Sequence, residues 1–103
     1  MDSSFSVAVT CNQNTDYIQL HSNIDASAEK ELQYLPEKVQ TQSVRFDFSQ
    51  AGRINSMGIA LLLRCFKRIR DEKKAEIFLR ELNATNAMLF KMTGVFLLAS
   101  HEK

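Results

Sequence analysis

The chain has 103 residues, 45% of them apolar and 24% charged, with three glycines and one proline. That is enough to bury a core without disulfides or a structural metal, and it is too ordinary a composition for disorder, collagen or a repeat array. Thirteen basic against twelve acidic residues leave a formal charge of +1, which gives no global pull toward nucleic acid or an anionic membrane. In chain order, Phe5, Val7 and Val9 alternate with Ser6, Ala8 and Thr10 and read as a half-buried strand. Residues 12–16 form a turn, and Tyr17, Ile18 and Leu20 a second strand, paired with the first as a hairpin. Residues 26–40 read as a helix capped by Asp25 or Ser27, with Ala28, Leu32, Leu35 and Val39 on one face and a kink or early end at Pro36. Val44, Phe46 and Phe48 mark a third strand whose polar alternates Arg45 and Asp47 fit poorly with burial on both faces. Residues 49–55 are expected as a loop, flexible at Gly52, with Ile54 tucked inward.

A long helix follows from about residue 56 to 73, with Ile59, Leu62, Leu63, Phe66 and Ile69 as its core stripe. Residues 76–80 read as a fourth strand and 84–93 as a helix that Gly94 ends in a left-handed conformation. Residues 95–98 are a candidate last strand. Strands separated by helical crossovers require parallel pairing, so the expected fold is a layered α/β domain: a mixed sheet of four or five strands against about three main helices. No linker divides the chain, so residues 1–103 read as one domain with its core at about 5–98.

Little in the sequence suggests catalysis. His21 and His101 lie far apart, no Ser-His-Asp set or Gly-rich phosphate loop is present, and neither Cys11 nor Cys65 sits in a CxxC or Cys/His cluster. No cofactor or metal is expected. Cys65 reads as a small residue at a helix–sheet interface and a reduced thiol. Asp47 reads as a residue holding the next loop through backbone N–H groups. The basic cluster from Arg64 to Lys74 is broken by Asp71 and Glu72 and lacks interleaved aromatics, which argues against nucleic acid. No leader pattern opens the chain, and its longest apolar run, residues 59–63, is far short of the roughly 20 residues a membrane span needs. A cytoplasmic location without membrane insertion is the expectation.

The informative stretch runs from Val44 to Ile59: a strand, a short loop, then Asn55-Ser56-Met57-Gly58 opening an apolar helix. Together with Phe66-Lys67-Arg68-Ile69-Arg70, strand 76–80 and the ending Leu89-Phe90-Lys91-Met92-Thr93-Gly94-Val95, it resembles the STAS family of the anti-sigma-factor-antagonist type. The resemblance implies a STAS-like fold and a non-enzymatic binding protein whose switch is phosphorylation of Ser56, the position matching the family's acceptor serine. It implies as partners a GHKL-type serine kinase or anti-sigma factor and a serine phosphatase, with sigma-factor activity or biofilm behaviour as the output.

Independently of family, a serine at a helix N-terminus faces unpaired N–H groups and the positive end of the dipole, which suits a phosphate of about −1.5 to −2 charge. The alternative is that Ser56 is only the helix cap. The expected partner-binding residues are Asn55, Ser56, Met57, Gly58, Leu61 and Arg64. Met57 and Leu61 lie off the predicted stripe, either as a docking surface or as cover for the core edge. Gly58 permits close approach either of a partner or of the sheet. Asn55 stands where the family carries Asp, and Met57 where it has a second Ser or Thr, so Ser56 is the sole acceptor in the motif. Two other readings stay open: a small-ligand or nucleotide-sensing module, and a constitutive subunit of a signalling assembly.

Overall fold

A computed structural model describes residues 4–102. Residues 1–3, on which the reading of a missing leader rests, and residue 103 lie outside the described residues. Two strands open the fold: β1 (Ser6–Asn12) and β2 (Thr15–Ile24) pair antiparallel as a hairpin, with Val7 opposite Leu20 and Val9 opposite Ile18. The tight reversal between them uses a positive φ of 59° at Gln13. A 3₁₀ turn (Ala26–Ala28) and helix α1 (Glu29–Lys38) then carry the chain to β3 (Ser43–Asp47). Of the two expected caps Asp25 is the one used: its carboxylate accepts the Ser27 N–H at 2.9 Å. Pro36 lies in the last turn and α1 ends at Lys38, two residues beyond it, the early end of the two outcomes expected.

Next come β4 (Ala51–Ile54), α2 (Ser56–Lys73), β5 (Glu76–Arg80), α3 (Ala84–Thr93) and β6 (Ser100–His101). Gly94, at φ 85°, ends α3 in the left-handed conformation expected of it. The sheet runs β1-β2-β3-β5-β6, with β4 pairing separately to the second half of β2. All pairs after the hairpin are parallel, and a helix lies in the connection between the partners of each, although β3 passes to β4, which is not its partner, by a short step. Two expectations change. The segment expected as a loop contains β4, because the backbone of Ala51 to Ile54 finds an open edge beside Ser22 and Ile24. Residues 95–97 form a 3₁₀ turn instead of a strand, and the last strand lies further on, where Ser100 pairs with Phe78.

One face of the sheet is the core face. Ile18 and Leu20, Val44 and Phe46, and Ile77 and Leu79 are buried in register there, and the Phe66 ring of α2 meets Phe46 edge to face at 4.9 Å. The predicted α1 stripe of Ala28, Leu32, Leu35 and Val39 is buried throughout. The opposite face explains the polar alternates of β3. Arg45 is only half-buried, lies over the Phe78 ring at 5.1 Å, and forms a two-pronged ion pair with Glu102 at 2.9 and 3.1 Å. At the far end of the sheet the fully buried Asp16 fixes the α1–β3 junction. Its Oδ2 accepts from Gln40 N, Thr41 N and Thr41 Oγ1 at 2.8–2.9 Å. β1 forms the outer rim: among the described residues it pairs with β2 alone, and its seven residues carry no charge and no proline.

Candidate functional site

The site is the corner where β4 passes into α2. Ile54 is buried and pairs with Ile24, and the next backbone N–H, that of Asn55, donates to the Ile24 carbonyl at 3.2 Å. The chain then turns into the helix. Asn55, not Ser56, is the cap: its extended backbone precedes the first turn and its Oδ1 accepts the Gly58 N–H at 2.8 Å. The neutral amide thus does the capping work that a carboxylate does equally well. Ser56 is the first helical residue and is exposed.

Gly58 is buried against the sheet. A Cβ there would lie 2.0 Å from the Ile24 carbonyl oxygen, so the first turn of α2 rests directly on the backbone of β2. Of the two roles left open for this glycine, packing against the sheet is the one the structure provides. Two braces steady the same corner. Asn23 Oδ1 accepts the Arg53 N–H at 2.8 Å, and Asp47 Oδ1 accepts the Ser49 N–H at 2.8 Å, the loop-holding role expected for that aspartate. Asn23 was not legible in the sequence: an asparagine at a strand end becomes meaningful only when β4 lies beside it. The signal was Gly52, where a Cβ would strike the Asn23 side chain at 2.1 Å.

The other predicted residues divide. Met57 is 50% exposed, and Arg64, two turns further along the same side of α2, is exposed with no ion-pair partner among the described residues. Ala60, between them, is exposed as well and was not singled out in the sequence. Leu61 takes the second of its two readings, cover for the core edge: it is buried at 5% exposure, because α1 packs along that flank of α2 and widens the buried stripe. Leu61 and the buried Cys65 floor a shallow groove of about 240 Å³ between the helices, walled by Leu32, Gln33, Arg64 and Arg68. Burial pushes the Cys65 thiol up to about 12, against a smaller opposing effect of Arg68. Arg68 is itself engaged, donating to the Gln33 carbonyl at 2.7 Å and pairing with Glu72. What remains at the surface is a compact face of Asn55, Ser56, Met57, Ala60 and Arg64 on a rigid corner.

Chemically, this face offers one hydroxyl beside the first turn of a helix. Asn55 satisfies the Gly58 N–H, and no acceptor is found among the described residues for the N–H groups of Ser56 and Met57. No group of three or more His, Cys, Asp or Glu side chains suited to a metal occurs among the described residues, and none of their helices is long and apolar enough to cross a membrane.

Comparison with known proteins agrees with this fold. The family model for the STAS domain matches residues 6–101. No curated protein sequence matches. Among solved structures, the anti-sigma factor antagonist SpoIIAA in its unphosphorylated form is similar with a TM-score of 0.67 at 14% identity, over 96% of this chain and 87% of that one. An anti-sigma factor antagonist from Mycobacterium paratuberculosis gives 0.69 at 14% identity, over 95% and 85%. The phosphorylated form of the Bacillus cell fate determinant SpoIIAA gives 0.63 at 14% identity, over 96% and 91%. At such identities these likenesses establish the fold.

Proposed function

The chain belongs to the STAS domain family, and from that premise we propose that it is a phosphorylation-switched protein-binding regulator of the anti-sigma-factor-antagonist kind, not an enzyme. Ser56 is the acceptor. A GHKL-type serine kinase or anti-sigma factor is the partner, a serine phosphatase resets the switch, and the protein works in the cytoplasm on sigma-factor or biofilm output. The observation that carries this reading is the position of Ser56: an exposed hydroxyl as the first residue of an 18-residue helix, next to but separate from the capping side chain.

Because Asn55 performs the capping, the Ser56 hydroxyl is not committed to the fold and is available to a kinase. A phosphate placed there meets the free N–H groups of the first turn and the positive end of the α2 dipole, so the helix tolerates it. The partner, which docks on Met57, Ala60 and Arg64, then meets a dianion beside an apolar contact and is released by repulsion and desolvation. Kinase chemistry supplies its own base, metal and nucleotide, so the amide of Asn55 in place of a carboxylate does not prevent transfer.

The test combines site mapping and binding. Mass spectrometry of the protein from its native cells, including cells lacking serine phosphatases, is expected to find phosphate on Ser56. As baits, Ser56→Ala is expected to retain a partner that Ser56→Asp loses. Identical behaviour of the two baits, together with an unmodified Ser56 under all growth conditions, sinks the switch and leaves constitutive binding.

A further inference from the structure

A second concavity shares no lining residue with the α1–α2 groove. It is an open crevice of about 650 Å³ lined by Asn23, Arg53, Ile54, Asn83, Asn86 and Leu89, with Gly52 and Thr85 at its edges. It opens beside β4, which flanks the second half of the parallel strand β2, and against the first turn of α3, the kind of place where α/β sheets take up ligands. Its polar groups are rich in donors. Asn23 Oδ1 is occupied by the Arg53 N–H and Asn83 Oδ1 by the Asn86 N–H at 2.7 Å, which leaves both side-chain NH₂ groups to point elsewhere. Arg53 is the one charged side chain in the lining. The first N–H groups of the ten-residue α3 add the positive end of its dipole.

The independent sign of a ligand is Asn86. It is 96% buried, one of two buried polar residues among those described, it lines the crevice, and its side-chain amide has no hydrogen-bond partner among the described residues. The amide is not sealed in, since the one fully enclosed side-chain atom without a partner among the described residues is Asp16 Oδ1, so it faces the crevice, where a polar guest would pair it. Several amide donors and one guanidinium line the crevice, a set that the three acceptor oxygens of a phosphate can engage together. Ile54 and Leu89 supply an apolar wall for the remainder of the molecule.

We propose that the crevice between β4 and the α3 N-terminus binds a small phosphate-bearing organic molecule, with Asn86, Asn83, Asn23 and Arg53 holding the phosphate and Ile54 and Leu89 holding the organic part. The site is separate from the Ser56 switch and does not depend on it. The test is titration of the isotope-labelled full chain with inorganic phosphate and with phenyl phosphate, followed by NMR of backbone and side-chain amides, at constant ionic strength set with chloride. Saturable shifts are expected at the Asn23, Asn83 and Asn86 side chains and the Thr85 amide, with phenyl phosphate saturating at the lower concentration. Arg53→Gln, at an exposed position that leaves the fold intact, is expected to weaken binding about tenfold, the loss of one charge-assisted contact. Asn86→Asp is expected to abolish it, and Ser56→Ala to leave it unchanged. Shifts that never saturate, shifts spread equally over the α2 N-terminus, or an Arg53→Gln chain that binds as well as the parent would overturn the proposal.

Discussion

At Asn55, one side chain determines what the neighbouring serine is free to do. Its Oδ1 holds the Gly58 N–H, so Asn55→Ala is expected to cost about 1 kcal/mol in urea unfolding. Asn55→Asp keeps the acceptor and adds a charge favoured by the α2 dipole, and is expected to gain a few tenths of a kcal/mol at neutral pH. Gly58 is less forgiving. An added methyl would meet backbone, not a movable side-chain tip, so Gly58→Ala is expected to lower the thermal midpoint by the equivalent of about 2 kcal/mol or more, displacing the turn that presents Ser56. Glu102 carries the pH dependence. The hydrogen bond from Arg45 is the largest effect holding its carboxyl below the ordinary value of 4.5; burial opposes it, and the charges of Arg45 and Arg80 add smaller lowering effects. A depressed folded value means the pair's contribution is complete above pH 4.5 and is lost as pH falls through the folded value. The difference in urea midpoint between the parent and Glu102→Gln is therefore expected to be constant from pH 5 to 7 and to shrink below 4.5.

Among the elements, those with a strong internal pattern were legible from sequence. The α1 stripe, the extent of α2, the hairpin and the αL end of α3 at Gly94 each follow from periodicity or turn chemistry within a few adjacent residues. β4 and β6 escaped for a shared reason. Ala51-Gly52-Arg53-Ile54 has no alternation and Ser100-His101 no apolar residue, so each is a strand only because a neighbour supplies a ladder. Leu61 fell outside the predicted stripe because a helical wheel shows which residues share a side of α2 but not that α1 lies along a second side. Ser56 was offered as a cap because Ser and Asn are both good caps and adjacent in sequence. Only the extended backbone at Asn55 decides between them. The strand–loop–helix frame of the site was readable, and the divisions within it were set by tertiary contacts.

For the whole molecule, the helices and one sheet face enclose a single core, and the two cysteines report on it from opposite positions. Cys11 is exposed on the outer strand, while Cys65 is buried under the α1–α2 groove with its thiol pushed up to about 12. A thiol reagent at pH 8 is expected to label one cysteine quickly in the native protein and the second only at the rate of global opening, both reacting at once in denaturant. Rapid labelling of Cys65 in native conditions would show that the helices part easily. The rim strand β1 has a consequence for how the protein behaves in bulk. Natural sheets guard their edges with lysine, proline or a bulge, and Ser-Val-Ala-Val-Thr-Cys-Asn has neither lysine nor proline. Its unpaired N–H and C=O row is a template on which another such strand can add. Crowded or heated solutions are therefore expected to turn cloudy from this edge first, and colloidal stability depends on whatever shields those seven residues in the cell.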